Sequence, residues 1–458
     1  MVEGRTHRPL LHPSKCRSCD ICLRGCPAEW IPEYRKEEES LRGTLYREKM
    51  ADPPSKGRIP LPPCQEACPI HQDARGYVAL IAKGKYREAL DLIREVNPLP
   101  GVCGYICHHP CEEACLREGV DRPVPIRLLK RFIAEQGRSE QRWKVAGRMR
   151  RERILVVGSG PAGLACANDL TLKGFRVTLF EALPVLGGML RVGIPSFRLP
   201  REVLEMEVEG IRRLGVEMEV NRPFRLEGDG TILQRSGFDA IFLSMGAHRS
   251  LRLNIPGESL QGVHPGVEFL RKVNLGRKVE TGSKVAVIGG GNVAIDVARC
   301  LLRLGAKRID LYYRRSRREM PAIAEEVDQA VREGVRLHFL TAPVRITGRA
   351  GRVSGMECIR MRLAEPDETG RRRPVPVEGS NFTVEADMII PAIGQGIDSR
   401  YLKGLERNPD GTVRVDEKGQ TNLKGVFAGG DMVTGPGWAI EAIAAGKRGA
   451  EAIAEYLR

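Results

Sequence analysis

The sequence predicts an α/β protein with two Rossmann-like dinucleotide-binding domains, one inserted into the other, preceded by a helical domain rich in cysteine. Three observations carry that prediction. ILVVGSGPAGLACANDL, Ile154–Leu170, runs an apolar strand into a glycine loop and an apolar helix. KVAVIGGGNVAID, Lys284–Asp296, repeats the same unit, an internal duplication. Ten of the 13 cysteines lie before residue 116.

At 458 residues the chain has room for two or three domains with full cores. Its 42% hydrophobic and 29% charged residues are those of a soluble globular chain, and no apolar run nears the length of a membrane span. The opening residues hold no apolar segment long enough for a signal peptide, so a cytoplasmic location without membrane insertion is expected. The net charge of +15 raises nucleic acid as a partner. The basic residues are spread, however, and no nucleic-acid-binding signature interleaves with them. A solvated, arginine-rich surface with a few phosphate-binding arginines is expected instead.

Residues 1–55 hold Cys16, Cys19, Cys22 and Cys26, followed by Pro27. This is the bacterial ferredoxin spacing for a [4Fe–4S] cluster. Zinc is the competing metal, though structural zinc more usually pairs two C-x-x-C knuckles. In two-cluster ferredoxins the fourth cysteine of such a run serves the other cluster, so Cys26 is separable from the first three. Residues 56–150 form the helical domain and a basic linker. Cys64 and Cys68 come first, then a helical stretch over residues 76–100, then Cys103, Cys107, Cys111 and Cys115 at intervals of four. That interval would line one helix face. His108, His109 and Pro110 interrupt such a helix, which favours metal ligation by the cysteines. The two histidines are expected in a solvated loop.

The first dinucleotide unit spans residues 151–250. Gly158, Gly160 and Gly163 fit G-x-G-x-x-G: the first permits the turn, the second admits a pyrophosphate, the third lets helix pack on strand. Pro161 and Ala162 open the helix, whose N-terminal N–H groups face the phosphates. The strand RVTLFE ends at Glu181, where a carboxylate would take ribose hydroxyls. After the apolar AIFL, the segment SMGAHRS hands the chain to the insert, residues 251–387. There Gly289, Gly290, Gly291, Asn292, Val293 and Ala294 rebuild the loop. The strand RIDLYYRR ends in no acid and runs into Arg314, Arg315, Arg317 and Arg318. An acid there would repel a 2′-phosphate, whereas guanidinium groups bind it, so NADP(H) is preferred to NAD(H). Residues 340–384 read as strands and turns of the insert. Residues 388–458 return to the first domain. Gly430 ends a strand, Asp431 follows, and a helix opening near Trp438, Ala439 and Ile440 points its N–H groups at the site. Cys166, Cys300 and Cys358 stand alone, so no redox-active dithiol is expected beside either site.

PPCQEACP, NPLPGVCGYICHHPCEEAC and PIRLLKRF, followed by the glycine motif, resemble the small (beta) subunit of glutamate synthase. The same module occurs in the amino-terminal half of dihydropyrimidine dehydrogenase and in the large subunit of ferredoxin:NADP transhydrogenase. The resemblance covers roughly residues 55–458. It implies an FAD site in the first domain, an NADP(H) site in the insert and two [4Fe–4S] clusters. It further implies that Gly188, Met189 and Arg198 contact FAD and that Asp431 takes a ribityl hydroxyl. Arg314 and Arg318, with Arg315 beside them, would clamp the 2′-phosphate. Ala392, Ile393 and Gly394 would approach the nicotinamide nucleotide. The sequence departs from the family at two places. A further C-x-x-C before Cys64 is missing, and Lys130 stands where some members use Gln or Glu as a cluster ligand. An ammonium has no lone pair to give iron. Cys16–Cys26 either replace the missing pair or hold a cluster of their own, making two clusters or three.

The implied activity is that of an FAD- and iron–sulfur-dependent NAD(P)H oxidoreductase, with no obligatory protein acid or base, since the cofactors carry the chemistry. It would serve as one redox subunit of a complex, glutamate synthase-like. The alternative is a bifurcating transhydrogenase or hydrogenase-type complex exchanging electrons with ferredoxin. A zinc-bearing, non-catalytic scaffold is the reading of a different class.

Overall fold

The computed structural model describes residues 61–137, 149–226, 232–366 and 370–458. Cys16, Cys19, Cys22 and Cys26 lie outside the described residues. The described chain forms two compact units that part near residue 140.

The first unit is helical. Its helices are α1 (Pro63–Glu66), α2 (Ala74–Ala82), α3 (Tyr86–Arg94), α4 (Pro100–Ile106), α5 (Pro110–Glu113) and α6 (Ile126–Gln136). Proline opens α1, α4 and α5, where its missing N–H would have no partner anyway. The helical stretch expected over residues 76–100 contains two helices, α2 and α3. The Asp73 side chain caps the start of α2 through Gly76 N, and Gly84, at φ 69°, turns the chain back. The reversal lays Ala89, Leu90 and Ile93 against Tyr77, Ile126 and Ile133. Between α4 and α5 the chain is broken as expected: Cys107 is extended and His109 is left-handed at φ 51°.

In the second unit, β1 (Arg153–Val157) leads into α7 (Pro161–Leu172), and β2 (Arg176–Phe180), β3 (Glu217–Glu219) and β4 (Ala240–Leu243) follow. A two-residue strand β5 (Arg249–Ser250) starts the crossover to the insert. The insert contains α8 (Gly266–Asn274), β6 (Lys284–Ile288), α9 (Asn292–Arg303), β7 (Arg308–Tyr312), α10 (Ala324–Arg332) and β8 (Arg336–His338). Strands β9 (Thr341–Arg349), β10 (Arg352–Pro366), β11 (Arg372–Pro376) and β12 (Phe382–Glu385) make a separate antiparallel sheet. Then come β13 (Met388–Pro391), β14 (Gln395–Gly396), β15 (Val426–Ala428) and α11 (Ala439–Tyr456).

The first domain is a parallel sheet in the order β15-β4-β1-β2-β3, the insert a parallel sheet in the order β13-β6-β7-β8. β15 arrives from the far end of the chain and pairs in parallel with β4, which makes one domain of two separated segments. β13 corrects the boundary expected at residue 387. Its fully buried Met388–Pro391 pairs with β6, so the insert continues past that point because this apolar run completes the insert's own sheet. The return to the first domain instead follows β14, which pairs antiparallel with β5 at the crossover. In both sheets the central strands are buried past their first residue, as apolar runs covered on both faces require.

Candidate functional site

Both glycine loops lie at the carboxyl ends of parallel strands, the place where open α/β sheets take ligands. At the third glycine position a Cβ on Gly163 would meet the Gly158 carbonyl oxygen at 1.9 Å, so helix–strand packing alone demands glycine there. At the second position the reason is different. A Cβ on Gly160, or on its counterpart Gly291, would meet nothing within 4 Å. No protein contact keeps either residue small, and each leaves space at a helix N-terminus. That fits an outside group that must approach the backbone, such as a dinucleotide pyrophosphate.

Glu181 is buried at the end of β2. Its Oε2 accepts from Ser159 N at 3.0 Å and Ser159 Oγ at 2.5 Å, and Oε1 accepts from Leu183 N at 2.8 Å. Ser159 Oγ in turn accepts from Gly187 N at 2.9 Å. A Cβ on Gly188 would meet Gly160 Cα at 2.8 Å, so the paired glycines sit directly on the loop, with Met189 opening a one-turn helix beside them. Ser159 was not singled out from the sequence, and only its place between the two motif glycines could have suggested it.

On the opposite side Gly430 lies within 3.0 Å, measured from a built Cβ, of Ala162. Burial pushes the Asp431 carboxyl up to about 6, against a lowering hydrogen bond from the Gly437 backbone. At the start of α11, the Trp438 N–H donates to Glu441 Oε2 at 3.0 Å. Ala439 is partly exposed there and Ile440 is buried.

Arg198 is drawn into the insert. Its Nη1 donates to both Asp296 carboxylate oxygens at 3.0 and 2.8 Å, and its Nε lies 3.1 Å from Glu326 Oε1. Arg299 pairs with Glu326 and Glu333, and Arg303 with Glu333. The Arg198 pairs tie the first domain to α9 and α10, and those of Arg299 and Arg303 brace α9 inside the insert. His248, just past β4, is also held from the insert: Arg271 of α8 donates to its carbonyl oxygen at 3.3 Å and lies 3.1 Å from its Nδ1. Burial, then the Arg271 charge, lowers the His248 imidazole to about 4, so it is neutral near pH 7.

In the insert's loop, a Cβ on Gly289 would meet the Ala392 carbonyl oxygen at 2.2 Å, so Ala392 lies against the glycine turn. Ile393 is 41% exposed, an apolar side chain held at the crevice. Asn292 Oδ1 accepts from Ile323 N at 3.1 Å, bracing the start of α9, and Val293 and Ala294 continue the helix. Gly290 packs on the Tyr313 ring. The arginines after β7 separate. Arg314 and Arg318 are exposed, and no carboxylate pairs with either among the described residues. Arg317 pairs with Asp328. Arg315, expected beside the clamp, is buried, and its Nε donates to the Arg372 carbonyl oxygen at 2.8 Å. In the bend past β7, Arg315 is buried where its neighbour Arg314 is exposed.

The cysteines of the first unit fall into sets. Cys68, Cys107 and Cys111 lie within electrostatic range of one another, and Lys130 within range of the last two. Cys115 acts on Cys64. Burial raises the thiols of Cys64 and Cys107, and that of Cys111 to about 12. Cys103 Sγ instead donates to Asn97 Oδ1 at 3.9 Å, an oxygen that also accepts from Leu99 N. Among the described residues no three His, Cys, Asp or Glu side chains form a cage for one ion. Cys166, Cys300 and Cys358 are buried, unpaired thiols, raised by burial.

Residues 152–446 match the family model described as pyridine nucleotide-disulphide oxidoreductase, and residues 59–142 that of dihydropyrimidine dehydrogenase domain II, 4Fe-4S cluster. The chain is 46% identical over 424 residues to the NADP(+)-dependent formate dehydrogenase subunit beta of Moorella thermoacetica, covering 86% of this chain and 60% of that one. It thus spans less than two thirds of that relative's length. It is 34% identical to the glutamate synthase [NADPH] small chain of Halomonas elongata, covering 86% and 88%. Among solved structures, Mycobacterium tuberculosis FprA in complex with NADPH matches with a TM-score of 0.58 at 19% identity, over 67% of this chain and 85% of that one. That likeness is one of fold. No helix among the described residues is long and apolar enough to cross a membrane.

Proposed function

Because this chain belongs to the pyridine nucleotide-disulphide oxidoreductase family, alongside glutamate synthase small chains, we propose that it is the NADP(H)-linked subunit of a multi-subunit redox complex. It is an NAD(P)H oxidoreductase with a 4Fe-4S domain. In this reading NADP(H) delivers or receives a hydride at FAD, and [4Fe–4S] clusters carry single electrons to or from a partner subunit. The chain's own residues bind and orient. Gly158, Gly160 and Gly163 open the first loop to the FAD pyrophosphate, and Glu181, locked by Ser159, faces its ribose. Gly188, Met189, Gly430, Asp431 and the start of α11 line the remainder. Arg198 sets the spacing between the two domains. Gly289–Ala294 receive the nicotinamide dinucleotide, Arg314 and Arg318 take its 2′-phosphate, and residues 392–394 close on the crevice.

The observation that carries the reading is the pair of glycines, Gly160 and Gly291, that no protein contact requires to be glycine. The absence of a thiol pair near either loop among the described residues supports an exit for electrons through clusters rather than a dithiol. Cys68, Cys107 and Cys111 would hold one cluster. Cys64 and Cys115 would serve a second, and Cys103 would pack; Cys16–Cys26 would either complete that second cluster or hold one of their own. The higher identity to a formate dehydrogenase beta subunit than to a glutamate synthase small chain supports a partner of dehydrogenase type. Ferredoxin is the alternative partner.

Anaerobic purification from the native source tests this. A brown flavoprotein whose flavin is bleached faster by NADPH than by NADH is expected, together with a co-purifying dehydrogenase-type chain. An amidotransferase-type partner would return the reading to glutamate synthase. A colourless chain with stoichiometric zinc would sink it.

A further inference from the structure

Lys130, on α6, is 6% exposed. Burying an ammonium costs several kcal/mol unless a counter-charge meets it. Among the described residues no carboxylate oxygen lies within ion-pair distance of Lys130. The carboxylate nearby in sequence contacts, Glu112, faces elsewhere: it accepts from Arg127 N at 2.7 Å and lies 3.7 Å from His109 Nδ1. Lys130 Nζ stands 5.9 Å over the Tyr77 ring, a wholly buried side chain whose hydroxyl donates to the Ile126 carbonyl oxygen. The sulfurs of Cys107 and Cys111 lie within electrostatic range of Lys130, and Cys68 within range of those two. The pocket therefore sets a buried lysine beside cysteine sulfurs and offers it no carboxylate, so its counter-charge must come from whatever those sulfurs bind. A thiolate-ligated iron–sulfur cluster brings that charge.

We propose that Lys130 is the built-in counter-charge of the cluster held by Cys68, Cys107 and Cys111, and not one of its ligands. The inference rests on the assignment of that cluster made above. A fixed positive charge beside a buried cluster favours its more negative, reduced state. This cluster should therefore have a higher reduction potential than it would have without Lys130, and fill with electrons earlier.

The test is a redox titration of the intact, cluster-loaded chain followed by electron paramagnetic resonance. Lys130→Met keeps the stem and removes the charge, and Lys130→Arg keeps a charge that cannot ligate iron. In Lys130→Met one cluster should titrate at a more negative potential, with the others unmoved and iron content as in the wild type. Lys130→Arg should titrate like the wild type. If Lys130→Met loses one cluster while Lys130→Arg retains it, the charge role also stands. Loss in both variants, or unchanged potentials in Lys130→Met, overturns the inference. A wild-type chain without cluster signals overturns the cluster assignment itself.

Discussion

The two glycine loops share one frame and differ at the point where the second strand ends. In the first, Glu181 closes back on Ser159, so the loop is braced by an acid that a dinucleotide ribose can also reach. In the insert the strand ends on Tyr312, the ring of Tyr313 after it packs under Gly290, and Arg314 and Arg318 beyond are exposed. The scaffold is thus common property, while ligand choice rests on a few residues past one strand. The third loop position differs as well: glycine is obligatory at 163, and Ala294 is tolerated in its counterpart.

That last contrast gives the largest expected effect. Gly163→Ala should cost more than about 3 kcal/mol, since its Cβ would collide with the Gly158 carbonyl, and should leave little folded flavin domain. A thermal unfolding scan showing a wild-type midpoint would break the packing argument. Next, Arg314→Glu with Arg318→Glu should raise the KM for NADPH about 100-fold and leave that for NADH near its original value. Equal losses with both nucleotides would mean these arginines do not read the 2′-phosphate.

The tie between the first dinucleotide domain and the insert should show in pH dependence. His248 sits near 4 when folded and at its ordinary 6.5 when unfolded. Below pH 6.5 the unfolded chain binds the proton first, so this contribution to stability is lost as pH falls from 6.5 toward 4. It should amount to about 2 kcal/mol by pH 5. Denaturant titrations should show His248→Gln losing that part of the slope, and an unchanged slope would count against a neutral, buried imidazole. Smallest of all, Ala294→Gly should cost about 1 kcal/mol through helix propensity and keep NADPH binding. A larger loss would make the methyl group a packing element.

Sequence by itself determined the two loops, their strands and helices, the break at His108–Pro110 and the cysteine-bearing helical domain. Each is written in local terms: period, glycine spacing, proline position. The helical stretch over residues 76–100 is legible in sequence, but where it folds back is not, because one glycine, Gly84, reverses the chain only when α3 has α2 and α6 to pack on. Arg198 and Arg315 look like ligand-facing charges in sequence, yet Asp296 and Arg372, distant in the chain, claim their guanidinium groups. Likewise β13 joins the insert because β6 offers it an edge. Which thiols gather around Lys130, and which one turns to Asn97, follows from how α4, α5 and α6 meet. Spacing states what a residue can bind; burial and partners far along the chain decide what it does bind.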